Sequence, residues 1–137
     1  MAYFWNVIEI SDNLVWIDCE MTGLNVELDC LVEIAVVITN SELEILDEGL
    51  NLVIKPRPES WANMNAFVRN MHTESGLINE VENGLELQDA EAVVLEYVKR
   101  FVPNAKEAPL AGNSIGTAVS RTGQPSGSDR SPATELV

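Results

Sequence analysis

Asp18 and Glu20 are the residues of this sequence whose types and spacing are best suited to chemistry. They follow an apolar run, LVWI, that is typical of a buried strand. Alternate residues of a strand point to the same face, so both carboxylates are expected to project together while Cys19 turns away and packs in the core. Two adjacent carboxylates repel each other unless a cation lies between them. Hard oxygen ligands suit Mg²⁺ or Mn²⁺, and such ions can generate a hydroxide for phosphodiester cleavage. The alternative is an ordinary acidic pair on a solvated surface.

The elements that must position this pair follow from the hydrophobic pattern. LVEIAVVIT, residues 31–39, is a dense run of β-branched residues and predicts a central strand buried on both faces. A helix is predicted over residues 61–71 because five apolar side chains recur at helical spacing: Trp61, Met64, Phe67, Val68 and Met71. The remaining predicted elements are strands at 13–20, 43–54 and 110–113 and a helix at 87–101. The order β-β-β-α-α-β indicates a mixed α/β layer fold.

Charge and composition narrow the classes of partner. The 137 residues include 22 acidic and 8 basic side chains, for a net charge of −14. Such acidity argues against a protein that grips long duplex DNA, since that binding needs many Lys and Arg contacts to phosphate. It is compatible with a site for very short nucleic acids, where bound cations neutralise the phosphate. No signal peptide and no apolar stretch of about 18 residues is present, so a cytoplasmic protein without a membrane partner is expected.

Several ordered motifs resemble the oligoribonucleases, a family of DEDDh-type 3′-to-5′ exoribonucleases. The matching stretches are NLVWIDCEMTGL (13–24), LVEIAVVITNSELEIL (31–46), EGLNLVIK (48–55), MHTESGL (71–77), DAEAVVLEYVKRFVP (89–103) and APLAGNSIG (108–116). The resemblance implies a ribonuclease H-like mixed sheet with flanking helices, incomplete at the C-terminus. It divides the chain into an N-terminal extension (1–12), a partial exonuclease domain (13–116) and a tail outside the family pattern (117–137), expected to be disordered because it has no aromatic residue and little to bury.

The resemblance also implies the roles of individual residues. Asp18 and Glu20 would be catalytic ligands of Mg²⁺ or Mn²⁺. The residues that would bind the substrate are Met21, Thr22 and Gly23 beside the 3′ sugar, Leu24 as a wedge against a base, Phe67 and His72 in a base pocket, and Asn113 and Ser114 near the phosphate and sugar. An aromatic face stacks on any base, which gives end selectivity with little sequence preference.

Each of these residues also has a simpler structural interpretation. Phe67 lies on the apolar stripe of its predicted helix and is equally suited to core packing. His72 by itself is more typical of a surface or helix-end residue, and Leu24 of an ordinary core residue after a turn. Asn113 and Ser114 alone indicate only a turn. Glu33, within a β-branched strand, is expected to be a structural hydrogen-bonding group rather than a metal ligand.

One position departs from the family pattern. The third acid normally follows GNSIG after one residue, and here that position is Ala118. The motif that would carry the fourth acid and the general-base histidine is also missing, which suggests a truncated or frameshifted product. The family reaction is two-metal hydrolysis of very short single-stranded RNA to 5′-mononucleotides by a homodimer. For this chain the expectation is impaired or absent activity, and the alternative is a non-catalytic protein that binds short oligonucleotides or another partner.

Overall fold

A computed structural model describes residues 11–112 of the chain. Four strands form one mixed sheet: β1 (Leu14–Met21), β2 (Leu31–Thr39), β3 (Leu50–Val53) and β4 (Leu110–Ala111). Three α-helices flank it: α1 (Pro58–Ala62), α2 (Ala66–Glu74) and α3 (Leu87–Lys99). Two short 3-10 helices, Leu77–Asn79 and Val81–Asn83, connect α2 to α3.

The strand order across the sheet is β3-β2-β1-β4. β1 pairs antiparallel with β2 and parallel with β4, and β2 pairs antiparallel with β3. β1 is therefore an inner strand, paired along its whole length with the β-branched residues of β2. This confirms the predicted mixed α/β sheet with flanking helices.

The main core lies between one face of the sheet and α3. Val15, Ile17 and Cys19 point to this face from β1 and pack with alternate residues of β2 and with Tyr97 and Val98 of α3. The expected core position of Cys19 is thus confirmed. Alternation then requires the residues between them, including Asp18 and Glu20, to lie on the opposite face. On that opposite face Glu33, Ala35 and Val37 in the middle of β2 are only partly buried, whereas Val32 and Thr39 near its ends are buried. The middle of β2 is therefore fully covered on one face rather than on both as predicted.

A β-bulge interrupts the β1–β2 ladder next to the carboxylate pair. Glu20 lies opposite Glu33, but Met21 lies opposite Leu31, so Val32 is an extra residue in β2. The bulge allows Leu31 and Met21 to enter the main core, while Val32 is fully buried in a second cluster with Leu77 and Val81. Bulges bend a strand and redirect side chains, and they are frequent next to active sites.

Two predicted elements differ from the observed ones. The third strand is much shorter than residues 43–54, because the segment before it forms turns that include Leu43 and Gly49 at positive φ. The single helix predicted at 61–71 is two helices, α1 and α2, separated at residues 63–65. Asn65 is the reason for the break, since its side chain accepts a hydrogen bond from the Val68 N–H and begins a new helix.

The other predicted elements are confirmed with small changes at their ends. β2 has the predicted bounds, α3 ends two residues early, and the last strand ends at Ala111. Within residues 11–112, no helix is both long enough and apolar enough to cross a membrane.

Candidate active site

Asp18 and Glu20 lie at the C-terminal end of β1, on the face of the sheet that α3 leaves open. Asp18 is exposed and Glu20 is half-buried. Across the ladder they face Ala35 and Glu33 of β2. The structure thus brings the predicted pair together on one face, as their spacing of two residues requires. In an antiparallel pair, directly opposite residues also share a face, so Glu33 is a third carboxylate on this surface.

The electrostatics of the pair centre on Glu20. Partial burial raises the pKa of the Glu20 carboxyl above its usual 4.5, and the nearby charges of Asp18 and Glu33 raise it further, while His72 acts in the opposite direction. The Glu33 side chain is held in one orientation because its Oε1 accepts a hydrogen bond of 2.9 Å from Asn51 Nδ2. This confirms Glu33 as a hydrogen-bonded structural acid. A cation near Glu20 would relieve the repulsion among these carboxylates.

His72 lies beneath the end of β1. Its side chain is only 1% exposed, and its Nε2 lies 2.8 Å from the carbonyl oxygen of Met21. The interpretation of His72 as a surface residue is therefore wrong. The ring fixes α2 against the segment that directly follows Glu20, and the imidazole itself is enclosed by protein.

The turn after β1 divides its side chains between the interior and solvent. Thr22 is 1% exposed, and its hydroxyl donates to Asp29 Oδ1 at 2.9 Å. Leu24, two residues later, is 82% exposed, so it is not a core residue. Met21 packs at the edge of the main core, which leaves its backbone as the part nearest the carboxylate pair.

Phe67 is presented to solvent by α2. It is 78% exposed, so the periodicity that suggested core packing is wrong for this residue. Met71, one turn later on the same helix, is 40% exposed. Large apolar side chains with this much exposure, close in the chain to His72, are suited to contact with a flat apolar ligand.

Asn113 and Ser114 lie outside the described residues and stay predictions. The chain that leads to them runs beside β1, since Ala111 pairs with Trp16. Gly112 has φ of 143° and lies so close to the Ile17 carbonyl oxygen that a Cβ would overlap it. A glycine is therefore required at this position, one residue from Asp18 in the adjacent strand.

Asp18 and Glu20 fit a hard divalent cation by donor type, although the part of the chain that the structure describes contains no group of three or more His, Cys, Asp or Glu side chains arranged to hold a metal.

Sequence reasoning missed Asp29, which orients the turn after β1, and Asn51, which orients Glu33. The available signal for Asp29 was a carboxylate a few residues after a Thr-Gly turn, a pattern in which side chains commonly bond to nearby backbone.

Comparison with known proteins agrees with this geometry. The family model described as Exonuclease (RNase_T) matches residues 15–120. The chain belongs to the exonuclease family. Within that family it is similar to the oligoribonuclease of Leifsonia xyli subsp. xyli, with 63% identity over 107 residues that cover 78% of this chain and 52% of the relative. The oligoribonuclease of Streptomyces coelicolor is 51% identical over 108 residues, covering 79% of this chain and 54% of the relative. The chain thus spans about half the length of these relatives.

Solved exonuclease structures share the fold. Escherichia coli exonuclease I, crystallised with a dA16 oligonucleotide, superposes with a TM-score of 0.57 at 16% identity, over 81% of this chain and 23% of that one. Exonuclease I from Methylocaldum szegediense gives a TM-score of 0.55 at 21% identity, over 80% of this chain and 22% of that one. The predicted ribonuclease H-like sheet of an exonuclease is therefore confirmed.

Proposed function

We propose that this chain supplies the carboxylate pair and the 3′-end-binding surface of a 3′-to-5′ exoribonuclease that acts on very short single-stranded RNA. The observation that carries the proposal is the placement of Asp18 and Glu20 together on the open face of β1, with the pKa of Glu20 raised by burial and by its acidic neighbours. Sites that bind catalytic cations combine these features. The similarity to oligoribonucleases supports the choice of substrate.

Asp18 and Glu20 would be the residues that hold Mg²⁺ or Mn²⁺. When bound, such ions supply charge neutralisation for the phosphate and an activated water for hydrolysis. The Asp18 and Glu20 carboxylates would hold the ion at this position, and the pairing of β1 with β2 fixes the separation of the two residues. Cation binding is also the way in which an acidic protein of net charge −14 can accept an anionic substrate.

The 3′-terminal nucleotide would be held by the turn after β1 and by α2. The backbone of Met21, Thr22 and Gly23 would lie beside the sugar, and the exposed Leu24 and Phe67 would contact the base. Base stacking on an aromatic side chain contributes about 1–3 kcal/mol per base and is tolerant of sequence.

Four further assignments complete the proposed site and its setting. His72 would support this surface through the Met21 carbonyl rather than by direct contact with a base, because its ring is buried. Asn113 and Ser114 would contribute to the phosphate and sugar site. A cytoplasmic location, expected from the sequence, and a homodimeric assembly, implied by the family resemblance, are also proposals.

The position of the third acid in the family pattern is Ala118. We therefore expect the 137-residue chain to bind a dinucleotide without efficient release of 5′-mononucleotides. This residue also favours a second candidate function, a non-catalytic protein that binds short oligonucleotides. Both functions use the same pocket and differ only in turnover.

Two measurements on the 137-residue chain test the proposal. Calorimetry with a dinucleotide in Ca²⁺ measures binding, and thin-layer separation of a labelled dinucleotide incubated with Mn²⁺ measures turnover. We expect binding that Asp18→Asn weakens and that the remote exposed-acid variant Glu42→Gln leaves unchanged. Absence of binding would refute the oligonucleotide site. Appreciable release of mononucleotide, abolished by Asp18→Ala, would contradict the expected lack of turnover and exclude the non-catalytic alternative.

A further inference from the structure

The loop of residues 22–30, which connects β1 to β2, is closed by the side chain of Asp29. Oδ1 of Asp29 accepts the Thr22 hydroxyl at 2.9 Å, and Oδ2 accepts the Asn25 N–H at 2.9 Å. The Thr22 hydroxyl in turn accepts the Cys30 N–H at 3.1 Å, and the Thr22 N–H donates to the Cys30 carbonyl at 3.0 Å. One carboxylate thus joins the start of the loop to its end.

Gly23 lies directly against this carboxylate. A Cβ built on residue 23 would overlap Oδ2 of Asp29 and would lie 2.7 Å from its Cγ. Gly23 is not one of the described glycines that have a positive φ. The close approach of Asp29, rather than the backbone conformation, is therefore the reason for a glycine at this position. A side chain at position 23 would therefore have to displace the Asp29 carboxylate and disturb its hydrogen bonds to Thr22 and Asn25.

The end of the loop that carries Asp29 is itself anchored to the domain. Arg57 Nη2 donates to the Asp29 carbonyl at 3.1 Å, and Ser60 Oγ, from the one buried residue of α1, donates to the Leu28 carbonyl at 2.7 Å. Ser60 is 2% exposed. Asp29 is thus held from its backbone side by the segment around α1, and its side chain transmits this fixed position to Thr22 and Gly23.

We propose that Asp29 is a positioning residue for the proposed 3′-end site, because it joins Thr22, Gly23 and Asn25 into one rigid turn from which Leu24 projects. Leu24 is 82% exposed, so little of its side chain is packed against the protein. The orientation of its backbone therefore depends on the residues before and after it, and both of these are in contact with Asp29 or hydrogen-bonded to it. This inference rests on the proposed function for its consequence in binding, but the rigidity of the turn can be measured separately.

The chemistry of the contacts distinguishes aspartate from asparagine at position 29. An ionised carboxylate is an acceptor at both oxygens, whereas an asparagine offers one acceptor and one NH₂ donor. The Thr22 hydroxyl and the Asn25 N–H are both donors toward residue 29. Asp29→Asn can accept the Asn25 N–H at its amide oxygen, but its NH₂ group meets the Thr22 hydroxyl only if that hydroxyl stops donating to residue 29 and accepts there instead. The variant should therefore retain part of the function that Asp29→Ala loses.

Hydrogen exchange and dinucleotide binding together test the proposal on the 137-residue chain. In Asp29→Ala we expect the Asn25 and Cys30 amides to exchange at least about tenfold faster, since their acceptor or its support is lost. Dinucleotide affinity in Ca²⁺ should fall about tenfold to a hundredfold, or about 1.4–2.8 kcal/mol, as expected when a contact to the 3′-terminal nucleotide is no longer held in place. The Mn²⁺-dependent rise in Tm should remain within twofold of its original size, because Asp18 and Glu20 are unchanged. Asp29→Asn should be intermediate in exchange and affinity.

Two further variants make the result specific. Glu27→Gln removes a carboxylate from the exposed part of the same loop and should leave both exchange and affinity unchanged. Gly23→Ala should reproduce the effect of Asp29→Ala by displacing the carboxylate, and the double variant should lose little more than either single one. Additive losses would contradict the coupling between the two residues.

The outcomes separate this proposal from the proposed function. If the unaltered chain binds the dinucleotide and Asp29→Ala binds it equally well, the positioning role is refuted while the site stands. If the Asn25 and Cys30 amides exchange at unchanged rates in Asp29→Ala, the rigid turn is refuted whatever the binding result. If the unaltered chain does not bind, the proposed function fails, and with it any role of Asp29 in binding.

Discussion

Replacement of Glu20 by Gln should stabilise the metal-free protein and at the same time remove its response to metal. Burial is the largest cause of the raised pKa of Glu20, and the charges of Asp18 and Glu33 on the open sheet face raise it further against the opposing effect of His72. An active site that is strained in this way lowers the free energy of unfolding, and a neutral isostere relieves that strain. The same substitution removes one of the two ligands proposed for Mg²⁺ or Mn²⁺.

The size of the effect follows from the strand geometry. Same-face neighbours on a strand are two residues apart, or about 6.6 Å. Two unit charges at about 7 Å repel by roughly 0.6 kcal/mol in water and roughly 2.4 kcal/mol at an effective dielectric constant near 20. Asp18 is exposed and Glu20 half-buried, so the lower part of this range applies. We expect a gain of about 1 kcal/mol, or a rise in Tm of roughly 3–5 °C for a chain of this size.

The pH dependence gives this prediction a definite sign. The pKa of Glu20 is raised in the folded state, so the folded protein binds a proton there more tightly than the unfolded chain does. Below the pKa that Glu20 has in the unfolded chain, the carboxyl is protonated in both states and does not lower the free energy of unfolding. As pH rises from the unfolded value through the folded pKa, stability is lost, and the loss is complete above the folded pKa. The advantage of Glu20→Gln should therefore be full at neutral pH and should disappear in acid.

Thermal and urea unfolding, followed by circular dichroism at several pH values with and without Mn²⁺, would measure these effects. At Mn²⁺ tenfold above its dissociation constant the unaltered chain should gain about 1.4 kcal/mol, and Glu20→Gln should gain much less. Glu42→Gln is the matched control, since it removes an exposed carboxylate from the turn after β2, and it should change neither quantity. A Glu20→Gln protein that is less stable than the unaltered chain at neutral pH, or whose gain persists in acid, would refute the reasoning.

Three other substitutions give clear expectations. Phe67→Ala should weaken dinucleotide binding in calorimetry by about 1–3 kcal/mol with little change in Tm. Ile45, at the far end of the sheet, is also a largely exposed apolar residue, and Ile45→Ala should change neither quantity. Equal losses of affinity in both variants would contradict a base contact. His72→Ala should lower the free energy of unfolding in urea by about 1–3 kcal/mol, because the buried Met21 carbonyl loses its partner, and an unchanged midpoint would show that water replaces the ring. Asn65→Ala should cost about 1 kcal/mol in the same assay through loss of the cap of α2, and a smaller loss in Asn65→Asp would identify the cap as the cause.

The pattern of strands could be predicted from sequence because it depends on local alternation. The β-branched run of β2 has the bounds that its composition indicates, and the two-residue spacing of Asp18 and Glu20 places them on one face in any strand. The shared orientation of the two carboxylates was therefore predictable before the fold was known, while the cation that they would bind is a proposal. The resemblance to oligoribonucleases, confirmed by relatives with 50–63% identity, added the proposed substrate to this chemistry.

Helical periodicity was a weaker guide, because a stripe of apolar residues does not say which of them find partners. Met64 of the predicted stripe is buried, whereas Phe67 is exposed. The break at Asn65 changes the phase between α1 and α2, so residues that share a face of one continuous helix do not share it here. A side-chain cap within an apolar pattern decides this difference, and the pattern alone does not contain it.

The sequence by itself identified the candidate chemistry of this protein: a pair of same-face carboxylates at the end of a strand, with Ala118 where the family pattern has a third acid. Only the tertiary structure decided how the surroundings of that pair are held. His72 reaches the Met21 carbonyl across 51 residues of sequence, and Arg57 reaches the Asp29 carbonyl across 28. Such contacts depend on how helices pack against the sheet, and neither alternation nor composition encodes them locally. Asp18 and Glu20 could be found from their spacing, but the residues that support them became visible only once the chain was folded.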